Sequence, residues 1–369
     1  MHLVFWHNII SPHQTPFMRC LAEAGHEVLV VAAEAMSEDR LRLGWTVPEL
    51  GRAKVVVNPS FPQVREIVRD SASKSIHFIA GARSTPLGVQ VGQACRKYRR
   101  RTGIITEAPD PRGILGIARR IKYTVERFNS GRNFDFILGM GGMGVDWFRA
   151  CGYKATRLYP FAYVTEVPAN VQKFSALHVR EMLFVGRLVH LKGLDLLLRA
   201  MAMSRMCNMN LRIVGEGPVE SELRCLAAEF GVDERVEWSG RQPAEEIPKL
   251  MARADFLVLP SRKDGWGAVV NESLMVGTPV ICSDACGAAD LIRQKFLGGV
   301  FRSGSVEHLS AVLGEWVANV QNGIRERQRI RTWSRCIEGA AVAAYLEEIL
   351  ENVYHGGPRP VAPWRRDMP

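Results

Sequence analysis

Asp264 and Glu272 stand eight residues apart around the turn Gly265-Trp266-Gly267. Ionised carboxylates accept hydrogen bonds from hydroxyls without needing a metal, so such a pair suits a polyhydroxylated ligand. Two cations, Arg187 and Lys192, precede the pair by about 75 residues. A guanidinium can fork onto two phosphate oxygens and an ammonium adds a point charge, so together they can neutralise a diphosphate.

Side chains so far apart in sequence act together only if the elements around them bring their loops to one edge. Ala254 to Leu259 reads as a buried strand and Gly267 to Val276 as a helix ended by Gly277 and Pro279. Asp264 therefore lies between a strand's carboxyl end and a helix start, where parallel α/β sheets bind ligands through unpaired N–H groups and a positive dipole end. Glu272 lies more than a turn into that helix, on a face that can look back over the same crevice. Upstream, Met182 to Val185 is a short apolar strand, Gly186-Arg187 a turn, and Lys192-Gly193 opens a helix from Leu194 to Met203. Between the two, Leu211 to Val214 is a strand that stops at Gly215-Glu216-Gly217-Pro218, with a helix from Val219 to Phe230 behind it. Val236-Glu237-Trp238-Ser239-Gly240-Arg241 reads as another strand, ending in Gly. Taken alone, Gly-Glu-Gly-Pro is a turn and nothing more.

These four segments, in this order, resemble the family-four glycosyltransferases, retaining enzymes of the GT-B fold that use nucleotide-diphospho-sugars. The likeness covers roughly residues 180 to 300, with Asp264 where the family usually has Glu. It implies that Arg187 and Lys192 clamp the diphosphate and that Glu272 holds the ribose hydroxyls. It further implies that Asp264 and the backbone of Gly265, Trp266 and Gly267 hold the transferred sugar, with Trp266 packing on it. Gly186, Gly215, Glu216, Gly217 and Gly240 would form nucleotide-side loops. The implied reaction is front-face transfer of a hexose to a glycan or lipid-linked acceptor in cell-surface polysaccharide or glycolipid synthesis. No cofactor and no metal are expected: there is no DxD motif at a strand end and no His/Cys cluster with ligand spacing.

Two Rossmann-like, doubly wound α/β domains facing across a cleft are expected. The first half alternates strands at Leu3–Phe5, Glu27–Ala32, Lys54–Val57, Ile76–Ala80, Gly103–Thr106 and Phe134–Leu138 with helices at Pro16–Ala24 and Val89–Arg100. Pro160 and Pro168 flank an extended linker, which puts the boundary between domains of residues 1–168 and 169–335. From Cys336 to Tyr354 an apolar stripe, Ile337, Ala341, Tyr345, Ile349 and Val353, recurs at helical spacing. The GT-B resemblance implies that this helix, about 336–355, crosses back to the first domain. The Pro-rich tail after Gly356 is expected to be loosely ordered.

At 369 residues, 47% hydrophobic and with no run of 18 apolar residues, the chain has enough material for two full cores and no spanning segment. The start, Met1 to Asn8, has no basic n-region and reads as a first strand, and the eight cysteines form no CxxC pair. A cytoplasmic protein with reduced thiols is expected. The formal excess of +10 falls wholly in residues 1–160, which hold 23 Lys and Arg against 13 Asp and Glu. It concentrates at Arg96-Lys97-Tyr98-Arg99-Arg100-Arg101 and at Arg112, Arg119, Arg120, Lys122 and Arg127. Such a patch is either a solvated face or a contact with an anionic membrane on its cytoplasmic side. Nucleic acid is not expected, because the run lacks interleaved aromatics and no binding module appears.

Acceptor-side candidates in the first half are Asn8, Ser11 and His13 after the first strand, and Glu107 at a later strand end. Family-four enzymes often carry a glycine-rich loop after the first strand; this chain has no glycine before Gly25. Glu107 could bind acceptor hydroxyls or cap the following turn. A different class is suggested by Gly139-Met140-Gly141-Gly142-Met143-Gly144, which formally matches a dinucleotide fingerprint and makes a nicotinamide-dependent oxidoreductase the rival reading. A sugar-nucleotide-binding module without catalysis is the third.

Overall fold

The computed structural model describes every residue except 43, 82–84, 130–133, 167–179, 204–208, 320–322 and 367–369. Two compact units result, Met1–Thr165 with Cys336–Asp367, and Glu166–Arg335. The expected boundary at 168 and 169 lies outside the described residues.

Unit 1 begins as β1 (His2–His7), α1 (Thr15–Glu23), β2 (Glu27–Ala32), α2 (Glu38–Arg42), β3 (Lys54–Val57), α3 (Phe61–Asp70), β4 (Ile76–Ala80) and α4 (Pro86–Lys97). It continues through β5 (Arg101–Thr106), α5 (Gly113–Asn129), β6 (Phe136–Met140), α6 (Gly141–Ala150) and β7 (Leu158–Phe161). All seven strands are parallel, in the order β3-β2-β1-β4-β5-β6-β7. Buried on both faces, the central strands read as apolar runs, Leu3 to Trp6 and Ile76 to Ile79, the second broken by His77, which is buried and accepts from Trp6 Nε1 at 3.1 Å. Two helices of this unit start where a side chain supplies orphan donors with partners. Ser60 forms a reciprocal capping box with Gln63 at α3, and Thr85 Oγ1 accepts from Gly88 N at 3.0 Å just ahead of Pro86 in α4.

Unit 2 runs β8 (Glu181–Val185), α7 (Leu194–Met203), β9 (Asn210–Val214), α8 (Glu220–Glu229), β10 (Val236–Trp238), α9 (Ile247–Arg253), β11 (Phe256–Leu259) and α10 (Ala268–Met275). It closes with β12 (Val280–Ser283), β13 (Gly298–Phe301), α11 (Val306–Asn319) and α12 (Ile324–Ser334). Its six strands are again parallel, ordered β10-β9-β8-β11-β12-β13. The order reverses between β8 and β11, so their carboxyl ends diverge into a crevice, the position where open α/β sheets take ligands. Arg327 on α12 is buried and caps this unit from below, donating to the carbonyls of Ala252 (3.0 Å) and Ala254 (2.5 Å) and to Thr278 Oγ1 (3.0 Å).

The chain then returns to unit 1 as α13 (Gly339–His355), which packs on α1 through Val342, Tyr345, Leu346 and Ile349. A Cβ at Gly339 would come within 2.9 Å of the Pro16 carbonyl, so the two helices touch closely there. The tail is not loose. Trp364 is buried against Tyr345, and Arg359 lies over the Tyr159 ring while donating to the Leu158 carbonyl. A large aromatic near a chain end finds apolar surface to cover, which its Pro-rich neighbours do not reveal.

The run Arg96–Arg101 is divided by the fold. Arg100 donates to the carbonyls of Val68 (2.9 Å) and Arg69 (2.6 Å), and Arg101 lies 4.3 Å over the Tyr354 ring, leaving Arg96, Lys97 and Arg99 exposed. The Gly139–Gly144 motif has a packing role in the fold. Gly139 sits inside β6, and a Cβ on it would meet Gly144 C at 2.7 Å, so these glycines let α6 pack on its own strand. A strand glycine approached by helix backbone is a packing device.

Candidate active site

The loops that leave β8 and β11 carry Arg187, Lys192 and Asp264, and Glu272 follows on α10. Lys192, in the turn before α7, donates to Asp264 Oδ2 at 2.6 Å. Beside that pair, Arg262 forks onto both oxygens of Asp195 at 2.6 and 2.7 Å and also reaches the His190 carbonyl at 2.8 Å. Burial opposes the charged Asp195 carboxyl, yet the Arg262 hydrogen bonds and charge carry its pKa below the ordinary value. The two ion pairs fasten the β8 loop to the β11 loop, so the position of Lys192 depends on residues about 70 places away. Arg187 is exposed at the mouth of the β8 loop.

The backbone in this edge is drawn tight. Gly186 N donates to Val214 O (3.0 Å), Leu188 N to Glu216 O (3.0 Å) and Gly215 N to Gly240 O (2.8 Å), linking the ends of β8, β9 and β10. Gly215 has φ +137°, and a Cβ there would lie 2.0 Å from the Gly186 carbonyl oxygen, so the crossing admits glycine alone. Gly217 belongs to the same crossing, against Leu188. Glu216 is exposed, its Oε1 accepting from Arg241 N at 3.4 Å.

The β11 loop is zipped to the segment after β12. Asp264 N donates to Ala285 O (3.0 Å), Gly287 N to Asp264 O (3.2 Å) and Ala288 N to Trp266 O (2.8 Å). Gly265 sits between these rungs. Gly267 takes φ +90° as the N-cap of α10, with no side chain capping the helix, so first-turn N–H groups remain for a ligand. Trp266 points inward. It is 1% exposed and donates through Nε1 to Asn271 Oδ1 at 2.8 Å, so its ring is core and cannot lie on a sugar. Glu272 is partly buried on α10, and burial lifts its pKa to about 7. Cys282 and Cys286 are buried side by side, and burial first, then the neighbouring thiol, pushes the Cys286 pKa up. Among the described residues no three His, Cys, Asp or Glu side chains gather in a metal-holding group.

Residues 171–332 match the family model for glycosyl transferases group 1. The second unit is thus similar to group 1 glycosyl transferases over nearly its whole length. A GDP-mannose-dependent alpha-(1-6)-phosphatidylinositol monomannoside mannosyltransferase of Mycolicibacterium smegmatis is 30% identical over 176 residues, which cover 44% of this chain and 46% of that protein. Across the curated relatives it matches, the similarity spans between 27% and 46% of their length. The whole chain has the GT-B fold. HepE of Anabaena, solved with UDP, superposes with a TM-score of 0.72 at 17% identity over 95% of this chain and 100% of that one. The lipopolysaccharide outer core galactosyltransferase WaaB, in its apo form, gives 0.70 at 15% over 96% and 99%.

In unit 1 the sequence candidates divide. His13 and Glu107 meet through a residue not singled out from sequence: Tyr163 donates to Glu107 Oε1 at 2.7 Å and stacks 6.0 Å from the His13 ring. Trp45 meets the same imidazole edge-on at 4.8 Å, with Arg40 lying 4.1 Å over the indole. Burial, then the Arg40 charge, holds the His13 pKa at about 4, and its buried Nδ1 has no partner among the described residues. His13 is thus a neutral imidazole with an open nitrogen. Ser11 serves its own turn, its Oγ accepting from His13 N (3.3 Å) and its carbonyl from Thr15 Oγ1 (2.8 Å), and Asn8 is exposed outside the cluster. Spacing could not have revealed Tyr163 or Trp45, since the His13–Tyr163 contact joins β1's loop to the strand end that follows β7.

Proposed function

We propose that this protein is a retaining glycosyltransferase that moves a hexose from a nucleotide-diphospho-sugar to a glycan or lipid-linked acceptor, in cell-surface polysaccharide or glycolipid synthesis. The observation that carries the reading is the meeting of the loop of Arg187 and Lys192 with the loop of Asp264, ahead of Glu272, at the reversal point of the unit similar to group 1 glycosyl transferases. HepE was solved with UDP and with UDP-glucose, which supports a nucleotide-sugar donor here.

Catalysis in this reading is mostly placement and charge stabilisation. Arg187 and two remaining N–H donors of Lys192 would take the negative charge that develops on the leaving diphosphate. Asp264 would serve two purposes, orienting Lys192 and accepting from sugar hydroxyls. Glu272 would accept from the ribose hydroxyls, and the free amides at the start of α10 would lie against the sugar or phosphate. Retention would follow from front-face displacement, with the leaving diphosphate taking the acceptor proton. The cations already present would meet the diphosphate charge without a divalent ion.

The test is a panel of nucleotide-diphospho-sugars, scored by release of free nucleoside diphosphate with and without chelator. Turnover of one donor, unaffected by chelator, is the expected result. Donor binding without turnover against any glycan or glycolipid acceptor would make the protein a binding module, and chelator-sensitive turnover would overturn the metal-free mechanism.

A further inference from the structure

The helix α5 turns its apolar side outward. Ile114, Leu115, Ile117, Ile121 and Val125 are between 52% and 85% exposed. Four of them, at positions 114, 117, 121 and 125, recur at helical spacing and form one stripe about 17 Å long. The opposite face is the one fixed to the domain. Tyr123 packs edge-on against Trp147 and Phe148 of α6, while Arg120 and Arg127 donate to the carbonyls of Ala150 (3.2 Å) and Gly152 (2.6 Å), and Arg119 to that of Asp110 (3.2 Å). The helix therefore cannot roll its isoleucines inward without giving up those contacts. An apolar stripe of this extent held outward marks a surface for something else.

Charge selects the occupant. Residues 110–127 hold five cations, Arg112, Arg119, Arg120, Lys122 and Arg127, against two carboxylates, Asp110 and Glu126, and although Arg112 pairs with Asp110 and three arginines are held on carbonyls, the helix keeps a net positive charge within a half of the chain that carries the whole +10 excess. Two copies meeting stripe to stripe would bring like charge to like charge. A bilayer offers acyl chains beneath anionic headgroups, which matches an apolar stripe on a helix of net positive charge. Among the described residues no helix is long and apolar enough to cross a membrane, so the helix would lie in the interface.

We propose that α5 is a membrane-docking helix that seats Ile114, Ile117, Ile121 and Val125 among the acyl chains of an anionic bilayer, with Lys122 at the headgroups and the net positive charge of unit 1 drawing the helix to the surface. The contact lies on a different element from the Arg96–Arg101 run. It stands apart from the transfer reaction, because binding to lipid needs no donor.

Sedimentation of the full chain with vesicles of phosphatidylcholine and phosphatidylserine tests this. The parent should bind these vesicles, bind pure phosphatidylcholine less, and lose part of its binding as salt rises. Ile117→Ser with Ile121→Ser should weaken binding by about tenfold or more with an unchanged Tm, since both side chains are already in solvent. Arg96→Gln with Arg99→Gln should keep most of the binding. A serine variant that sediments like the parent, or a parent that binds no vesicle, would overturn the proposal. So would a parent found as a dimer that the serine pair dissolves, which would make the stripe a contact between copies.

Discussion

The two parallel sheets reverse their strand order in the same way, β1 beside β4 in unit 1 and β8 beside β11 in unit 2, yet the chemistry gathered at the two reversals differs. Unit 2 brings ionised groups together over tightly crossed glycine backbone: Lys192 on Asp264, Arg262 on Asp195, Arg187 exposed beside them. After β1 the chain has no glycine to draw its loop in, and it places a neutral imidazole among aromatic rings, with Tyr163 holding Glu107. A doubly wound sheet supplies an edge where loops converge; the side chains on those loops decide whether the edge meets phosphate charge or hydroxyls and apolar ring faces.

Removing the charges of unit 2 should break this contrast most severely. Arg187→Ala and Lys192→Ala are each expected to lower kcat by about a hundredfold or more, because one preorganised charge contact to a developing anion is worth a few kcal/mol. Lys192→Ala also leaves Asp264 without its cation, so it should reduce affinity for the bare nucleoside diphosphate more than Asp264→Asn does. Near-parental kcat in both alanine variants, measured by diphosphate release, would remove the clamp from the mechanism.

A smaller effect sharpens the role of Glu272, whose pKa near 7 makes it half-protonated at neutral pH. Hydroxyls donate best to the carboxylate, so donor affinity measured by titration calorimetry should rise between about pH 6 and about pH 8. Glu272→Gln should flatten that rise and cost about tenfold in affinity at the upper end. Stability runs the other way. An acid whose folded pKa lies above its unfolded value loses stability as pH increases through the folded pKa, so Glu272→Gln should raise Tm above pH 7 and change little below the ordinary carboxyl pKa of 4.5. A pH-independent donor affinity in the parent would detach Glu272 from the ribose.

The smallest effect belongs to unit 1. Tyr163→Phe removes one hydrogen bond to Glu107 and keeps the ring on His13, so KM for acceptor should rise about fivefold while donor affinity stays constant. An equal loss in donor affinity would remove Glu107 from the acceptor-side candidates.

Much of the scaffold was legible in the residues themselves. The bounds of β2, β3, β4 and α7 coincide with those expected from apolar runs and Gly, Pro or Lys-Gly punctuation, because strands buried on both faces and helices stopped by glycine are written locally. The loops holding Arg187, Lys192 and Asp264 were legible for the same reason: each follows a strand and precedes a helix, and Glu272 lies on the helix after Asp264. What lay beyond reach was which side of each element faces inward. Trp266 reads like a sugar platform and is buried on Asn271; Gly139 and Gly144 read like a phosphate loop and pack a helix on its strand; Trp364 sits in a Pro-rich tail and fills a core.

Local pattern determined the parallel α/β order, the two sheets and the loops that carry charge, since periodicity and chain punctuation act over a few residues. Tertiary structure alone decided that Lys192 meets Asp264, that Tyr163 joins His13 to Glu107, and that α5 keeps its arginines on backbone carbonyls and its isoleucines in solvent. Those outcomes depend on which distant groups compete for the same contact, and a sequence pattern carries no term for that competition.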